Sequence, residues 1–176
     1  MVANDATSYL VKGVVEKYSA RWKEVEVGEI NVVNAMRKHK AIIGGEGSNG
    51  GIIIPPGTCR DSILTLLLVL RILSQTGKSL PELVGQLPPY TTLQEKARAL
   101  DRRKVEQYYA GKGFRIQATG DAHGGLKAIS PDGWIWFRES RTEPRVVRII
   151  ADSKSASKAK SLMKEAMGLL AKAKNS

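Results

Sequence analysis

Two short stretches carry most of the side chains able to handle a charged, hydroxylated ligand. The first is Gly44 to Gly51, GGEGSNGG, whose five glycines permit positive φ and a close approach of backbone to a ligand. Besides Asn49, only Glu46 and Ser48 offer strong hydrogen-bonding capacity there. A carboxylate two residues from a hydroxyl suits adjacent sugar hydroxyls, the carboxylate accepting from both. A glycine-rich turn with a solvated Glu46 is the structural alternative. The loop is not the dinucleotide fingerprint in context, because a short β-branched run and not a long helix follows it. The second stretch is Arg138 to Pro144, RESRTEP, at the end of a strand-like run. Its two guanidiniums, two hydroxyls and turn N–H groups are the donors a phosphate dianion needs. Arg145 and Arg148 bring the arginines to four in eleven residues and raise the local positive field. The alternative is a solvated turn with Arg–Glu pairs, each worth at most about 1 kcal/mol at a surface.

The remaining reactive side chains point less clearly to chemistry. His39 lies among lysines, and His123 sits in the glycine-bounded run GDAHGG, where it reads as a loop residue and not a general base. Cys59 has no His partner in its neighbourhood and reads as inert. Trp134 and Trp136 alternate with Ile135 and Phe137, so both faces of that strand carry bulk, which favours core packing over a base-stacking platform.

These loops must be held by regular elements. Apolar residues at Leu10, Val11, Val14, Val15 and Tyr18 predict a helix capped by Thr7 or Asp5, with Val2 and Ala3 as a strand before it. WKEVEV over Trp22 to Val27 predicts a half-buried strand, and Ile30, Val33, Ala35 and Met36 a second helix ending in basic residues. Ala41 to Ile43 and Ile52 to Ile54 predict strands on either side of the glycine loop. The run Ile63 to Leu73 predicts a buried helix that starts at Asp61 or Ser62 and ends near Gly77, too short and too interrupted to cross a bilayer. Leu87-Pro88-Pro89-Tyr90 marks a boundary, since two prolines forbid helix continuation. Beyond it, Thr91 to Leu100 fits strand or helix, and Asp101 to Ala110 predicts a helix. Leu126 to Ser130, Trp134 to Arg138 and Val146 to Ile150 predict strands, and the stretch from Ser153 a lysine-faced helix. The fold class expected is α/β: a truncated mixed α/β domain over 1–88, then a small α+β domain over 89–176 with helices flanking an antiparallel sheet.

Composition narrows the classes. The 176 residues carry 28 Lys+Arg and 17 Asp+Glu, a formal charge of +11, and 42% hydrophobic residues, too many for a solvated disordered chain. Residues 1–90 hold 10 basic and 8 acidic residues, so the rest of the excess lies beyond them. One cysteine excludes an internal disulfide and fits a reducing cytoplasm, and with two histidines a His/Cys metal site is not expected. The start of the chain lacks the basic and apolar regions of a signal peptide.

Taken together and in this order, the two loops resemble the α-D-phosphohexomutase family: phosphomannomutases, phosphoglucomutases and phosphoglucosamine mutases. Val27-Gly28, GGEGSNGG, Arg60-Asp61 opening an apolar helix and the Leu-Pro-Pro-Tyr exit are similar to the third domain of its archaeal-type members. Asp132-Gly133-Trp134 followed by RESRTEP and Arg148 is similar to the phosphate loop of the fourth. The resemblance implies a four-domain enzyme that interconverts hexose 1- and 6-phosphates through a phosphoserine and a bisphosphate intermediate. Glu46, Ser48 and Gly28 would hold the sugar, and Arg138, Ser140, Arg141 and Thr142 the phosphate not being transferred.

The resemblance is incomplete. Neither the nucleophilic serine motif nor an Asp-Gly-Asp-Gly-Asp-type magnesium loop occurs in the 176 residues. No catalytic or metal-ligating residue is therefore expected here, and no cofactor, although the family implies magnesium for the complete enzyme. Asn49 stands where glycine is common, Val25 where threonine is usual, and Arg141 where the family has a small residue. The expected ligand is a hexose phosphate, and the expected partner is a separate chain carrying the first two domains. The expected state is an inactive substrate-binding part in the cytoplasm, without membrane contact. A basic nucleic-acid-binding module and a folded remnant are the alternatives.

Overall fold

The computed structural model describes the chain except Ser48, Asn49, Ala99 and 174–176, together with the side chains of 172 and 173. The described residues form two compact units, Met1–Pro88 and Pro89–Ser176.

In the first unit the elements are β1 (Val2–Asn4), α1 (Tyr9–Lys17), β2 (Lys23–Val25), α2 (Glu29–His39), β3 (Gly44–Gly45), β4 (Ile52–Ile53), α3 (Ser62–Thr76) and α4 (Leu80–Val84). The sheet order is β2-β1-β3-β4, with β1 parallel to both neighbours and β4 antiparallel to β3. The cap of α1 is Ser8, whose hydroxyl accepts the Leu10 N–H, and not Thr7 or Asp5. Thr7 is spoken for elsewhere, as described below. Helix α2 ends at Lys40, which takes the left-handed conformation at φ 50°, and its last turn carries Arg37, Lys38 and His39 against the helix dipole. Its Val32, Val33 and Met36 pack with Val2 and Ile53 into the unit's buried apolar cluster.

Two further expectations for this unit fail. The strand does not occupy Ala41 to Ile43 but begins at Gly44, after the Ile43 carbonyl has accepted the Val2 N–H. Backbone pairing with β1, and not β-branching, sets its position, and Ile42 is left exposed. Helix α3 forms over the expected span, with the Asp61 carboxylate accepting the Leu64 N–H and Gly77 closing it at φ 64°, but none of its residues is buried. It lies beside β4 at the edge of the sheet, and Ile63, Leu66, Leu67 and Leu70 face outward.

The second unit comprises β5 (Thr91–Ala97), α5 (Arg102–Gly111), β6 (Arg115–Ala118), β7 (Leu126–Ser130), β8 (Gly133–Glu139), β9 (Val147–Ser153) and α6 (Ala156–Ala173). All strand pairs of the sheet, ordered β5-β9-β8-β7-β6, are antiparallel. The ambiguous stretch from Thr91 is a strand. Period-two alternation sorts β8 cleanly: Ile135 and Phe137 join Leu126, Ala128, Ile149 and Ala151 under the two helices, while Trp134, Trp136 and Arg138 take the opposite face. Helix α6 lays Ala159, Leu162, Met163, Ala166 and Leu170 on this core. Tyr109 of α5 fills its centre with its ring edge-on to Phe114 and tilted to Phe137, and burial raises its hydroxyl pKa well above the usual value.

Candidate functional site

The glycine loop is anchored by the C-terminal end of β1. Asn4 and Thr7, both buried, stand where β1 turns toward α1. The Thr7 hydroxyl donates to Asn4 Oδ1 at 2.7 Å and accepts the Gly47 N–H at 3.0 Å. A Cβ on Gly47 would lie 2.8 Å from the Thr7 Cα, so only glycine lets the loop sit this close.

Glu46 is the centre of this arrangement. Its side chain is only 6% exposed, and its carboxylate meets three donors. The Gly28 N–H reaches Oε1 at 2.8 Å, Asn4 Nδ2 reaches the same oxygen at 3.0 Å, and Arg60 Nη1 lies 3.2 Å from Oε2. Gly28 can present its N–H this way because it precedes α2 at φ 132°, a backbone conformation that side chains disfavour. The solvated Glu46 considered from sequence is therefore excluded. Among the described residues these three donors meet a carboxylate that has about four acceptor positions.

Arg60 connects this carboxylate to another. Its N–H and Nε both donate to Glu29 Oε2, at 2.8 and 2.9 Å. The backbone N–H first, and the guanidinium after it, hold the Glu29 carboxyl below the usual carboxylate range. The loop is thus tied to β1, to the start of α2 and to the segment before α3. Ser48, expected to touch the sugar, lies outside the described residues, as does Asn49. Asn4, Thr7 and Arg60 were not assigned this role from sequence, because no local pattern shows that residues 4, 7, 28, 46 and 60 converge.

The second loop leaves β8 at Glu139 and returns to β9 at Val147. The Ser140 N–H bonds the Val146 carbonyl at 2.7 Å, and Arg145 absorbs the reversal at φ 60°. Ser140 Oγ accepts the Glu143 N–H at 3.1 Å and lies 3.4 Å from the Thr142 hydroxyl, so the two hydroxyls are adjacent. Arg141 turns away from them to Asp121, its Nη2 at 3.1 Å from Oδ2. His123, in the same loop as Asp121, places Nδ1 3.0 Å from Glu139 Oε2. Asp121 is held below the usual carboxylate range, by the His123 N–H first and by Arg141 as well. Arg138 pairs in register with Arg148, and Arg148 with Lys96, making a row of cations across three strands. Glu143 accepts from Lys96 at 2.7 Å and from Arg148 at 2.9 Å, and these two hydrogen bonds lower its pKa. Ser140 and Thr142 are thus brought together on the turn, Arg138 stands in β8 before it, and Arg141 is directed to Asp121, while Lys96 joins through Glu143.

Among the described residues no three His, Cys, Asp or Glu side chains gather so as to hold a metal ion. The donor set does not fit magnesium, and no chemistry is routed through a metal here. Among them, too, no helix is long and apolar enough to cross a membrane.

Comparison with known proteins places this geometry. Residues 1–90 match the sequence model of phosphoglucomutase/phosphomannomutase, alpha/beta/alpha domain III. A phosphoglucomutase/phosphomannomutase of Thermococcus kodakarensis is 32% identical over 179 residues, covering 98% of this chain and 38% of that protein. A Bacillus subtilis phosphoglucosamine mutase is 31% identical over 141 residues, covering 80% of this chain and 30% of that one. The chain therefore spans 30 to 38% of the length of these relatives. The crystal structure of a phosphoglucomutase/phosphomannomutase family protein from Burkholderia thailandensis superposes with a TM-score of 0.72 over 98% of this chain and 37% of its own, at 20% identity, and so shares the fold. With more than half of its residues matching the family's third domain and relatives aligned along nearly its whole length, the chain belongs to the phosphoglucomutase/phosphomannomutase family.

Proposed function

We propose that this chain is the substrate-binding part of a phosphohexomutase, an isomerase of carbohydrate metabolism that interconverts hexose 1- and 6-phosphates by phosphoryl transfer. Unit Met1–Pro88 takes the sugar through Glu46, Ser48 and Gly28, and unit Pro89–Ser176 takes the phosphate that is not transferred, through Arg138, Ser140, Arg141 and Thr142. The enzyme works in the cytoplasm, and its first two domains, outside residues 1–176, supply the phosphoserine and the magnesium site. Alone, this chain has no mutase activity.

The observation that carries the reading is the pre-set carboxylate of Glu46. An ionised group 6% exposed, oriented by an N–H, an amide and a guanidinium, costs little reorganisation when a hydroxyl arrives. It selects a hydroxyl donor at a fixed point and does not itself react. On the second unit, the adjacent hydroxyls of Ser140 and Thr142 and the cross-strand pair Arg138–Arg148 suit a phosphate dianion, and Asp121 is the anion that Arg141 binds in this structure. Gripping one phosphate fixes where the other end of the sugar lies, and positioning is most of what phosphoryl transfer requires of protein.

A thermal-shift titration with glucose 1-phosphate and mannose 1-phosphate, against inorganic phosphate and on wild type and Arg138→Ala, tests this. At a hundred times its dissociation constant a ligand stabilises by about 2.7 kcal/mol, or roughly 10 to 20 °C for a domain of this size. An Arg138→Ala protein that responds like wild type puts the phosphate elsewhere.

A further inference from the structure

Helix α2 changes character along one face. Val33 and Met36 belong to the unit's apolar cluster, and Arg37 and Lys40 follow them at helical spacing, so one side of the helix runs from apolar to cationic toward its C-terminal end. Together with Ile53, and with Pro55 and Pro56 beyond β4, these residues line a cavity of about 450 Å³. Small-molecule sites have volumes of this order and the same make-up, apolar walls with a few placed polar groups.

The charge around the cavity is one-sided. No Asp or Glu lines it, and among the described residues neither the Arg37 nor the Lys40 side chain has an ion-pair or hydrogen-bond partner. The C-terminal end of α2 sets about half a negative charge against these two positive ones, so a cationic rim remains. A second cavity, of about 340 Å³, shares Lys40, Ala41 and Ile42 with the first and adds Arg21 and Lys23, which are likewise unpaired among the described residues. Ile42, left 80% exposed where the expected strand fails, lines both cavities. None of the lining residues belongs to the Glu46 network, which is built at the C-terminal end of β1, whereas Lys23 and Val2 begin β2 and β1 at the other.

We propose that the cavity between α2 and the segment after β4 is a binding site for a small aromatic anion, a planar ring body carrying a carboxylate. The ring displaces water from Val33, Met36 and Ile53 and covers Ile42, and the Met36 thioether suits an aromatic neighbour. The carboxylate takes the Arg37 fork and the Lys40 ammonium. A neutral ring leaves both cations uncompensated, and a bare anion leaves the apolar walls in water, so neither fills the site as well.

The test titrates the full chain with 2-naphthoate, with neutral 2-naphthamide and with acetate, read by calorimetry. The expected result is one-to-one binding of 2-naphthoate, at least tenfold tighter than either of the others and weakened at least tenfold by Arg37→Gln/Lys40→Gln. Both side chains are exposed, so the circular dichroism and unfolding midpoint of that variant stay those of wild type. Lys17→Gln/Lys38→Gln removes the same charge from α1 and α2 without touching the lining and leaves the affinity unchanged. No binding of 2-naphthoate at millimolar concentration, equal binding of 2-naphthamide, or binding that survives Arg37→Gln/Lys40→Gln overturns the proposal. So does an equal loss in Lys17→Gln/Lys38→Gln, which makes the attraction one of overall charge, or a loss in Leu67→Glu/Leu70→Glu, which puts the probe on the exposed face of α3. No hexose phosphate enters the experiment, so its outcome is independent of the ligand reading under Proposed function.

Discussion

The two units solve the problem of holding a loop in opposite ways. Unit Pro89–Ser176 buries its helices α5 and α6 on one face of a five-stranded sheet, with Tyr109, Leu126, Ile135 and Phe137 essentially inaccessible, yet its loop from Glu139 to Val147 is tied by surface ion pairs. Unit Met1–Pro88 has a small buried cluster and a bare apolar helix, yet the Glu46 side chain of its glycine loop is nearly buried and fixed by directional bonds. A thick core is therefore not what makes a site rigid. The glycine loop draws its order from a polar network, and that network is stable only while Arg60, Asn4 and Thr7 keep their places.

The sharpest way to separate the units is to remove core from one and apolar surface from the other. Phe137→Ala is expected to cost about 3 to 5 kcal/mol and to lower the denaturant midpoint seen by Trp134 and Trp136 fluorescence. Leu67→Ala, equally apolar but exposed, is expected to stay within about 0.5 kcal/mol of wild type. An equal loss from both would mean that α3 is packed in the free chain.

Much of this contrast was legible from sequence, and the rest was not for identifiable reasons. Alternating bulk over Trp134 to Phe137 predicts a strand, and the apolar set Ile30, Val33, Ala35 and Met36 predicts α2, although Val32 takes the buried place beside Val33 and Met36 while Ile30 is left exposed. The run Ile63 to Leu73 gave a helix but misled about its burial, because apolar content says that a surface wants covering and not that anything covers it. Helix α4 passed unnoticed although Ser79 and Glu82 form a capping box, with the Ser79 N–H donating to Glu82 at 2.7 Å, a signal the sequence does contain. Strand β6 is a four-residue edge without a strong alternation. For the candidate site, Glu46 stood out by residue type, whereas Arg60 could not, since its importance lies in reaching two carboxylates from a distant segment.

Arg60→Ala sharpens the polar half of the comparison. It strips a charged donor from a nearly buried carboxylate and is expected to destabilise the first unit by about 1.5 to 3 kcal/mol, measured by denaturation. The midpoint seen by Trp134 and Trp136 in the second unit should not move. Arg60→Lys restores charge without the forked geometry and should recover only part of the loss.

A smaller effect separates the units by pH. Glu29 is held below its unfolded value by the Arg60 N–H and guanidinium, so its contribution is fully present above about pH 4.5 and is lost as pH falls through the folded pKa. Glu29→Gln should flatten that acid limb for the first unit and leave neutral-pH behaviour nearly unchanged. Glu143 follows the same sign in the second unit, through Lys96 and Arg148. Because that cluster is exposed, Glu143→Gln is expected to change stability less than Glu29→Gln, with the difference shrinking in high salt.

Recognition of a hexose by Glu46 is tested most directly by isothermal titration of the full chain with glucose 1-phosphate, mannose 1-phosphate and inorganic phosphate. The account predicts that at least one hexose phosphate binds more tightly than inorganic phosphate and that Glu46→Gln removes this advantage while leaving phosphate affinity unchanged. Equal affinities for all three ligands in the wild type, or a hexose preference that survives Glu46→Gln, would contradict it.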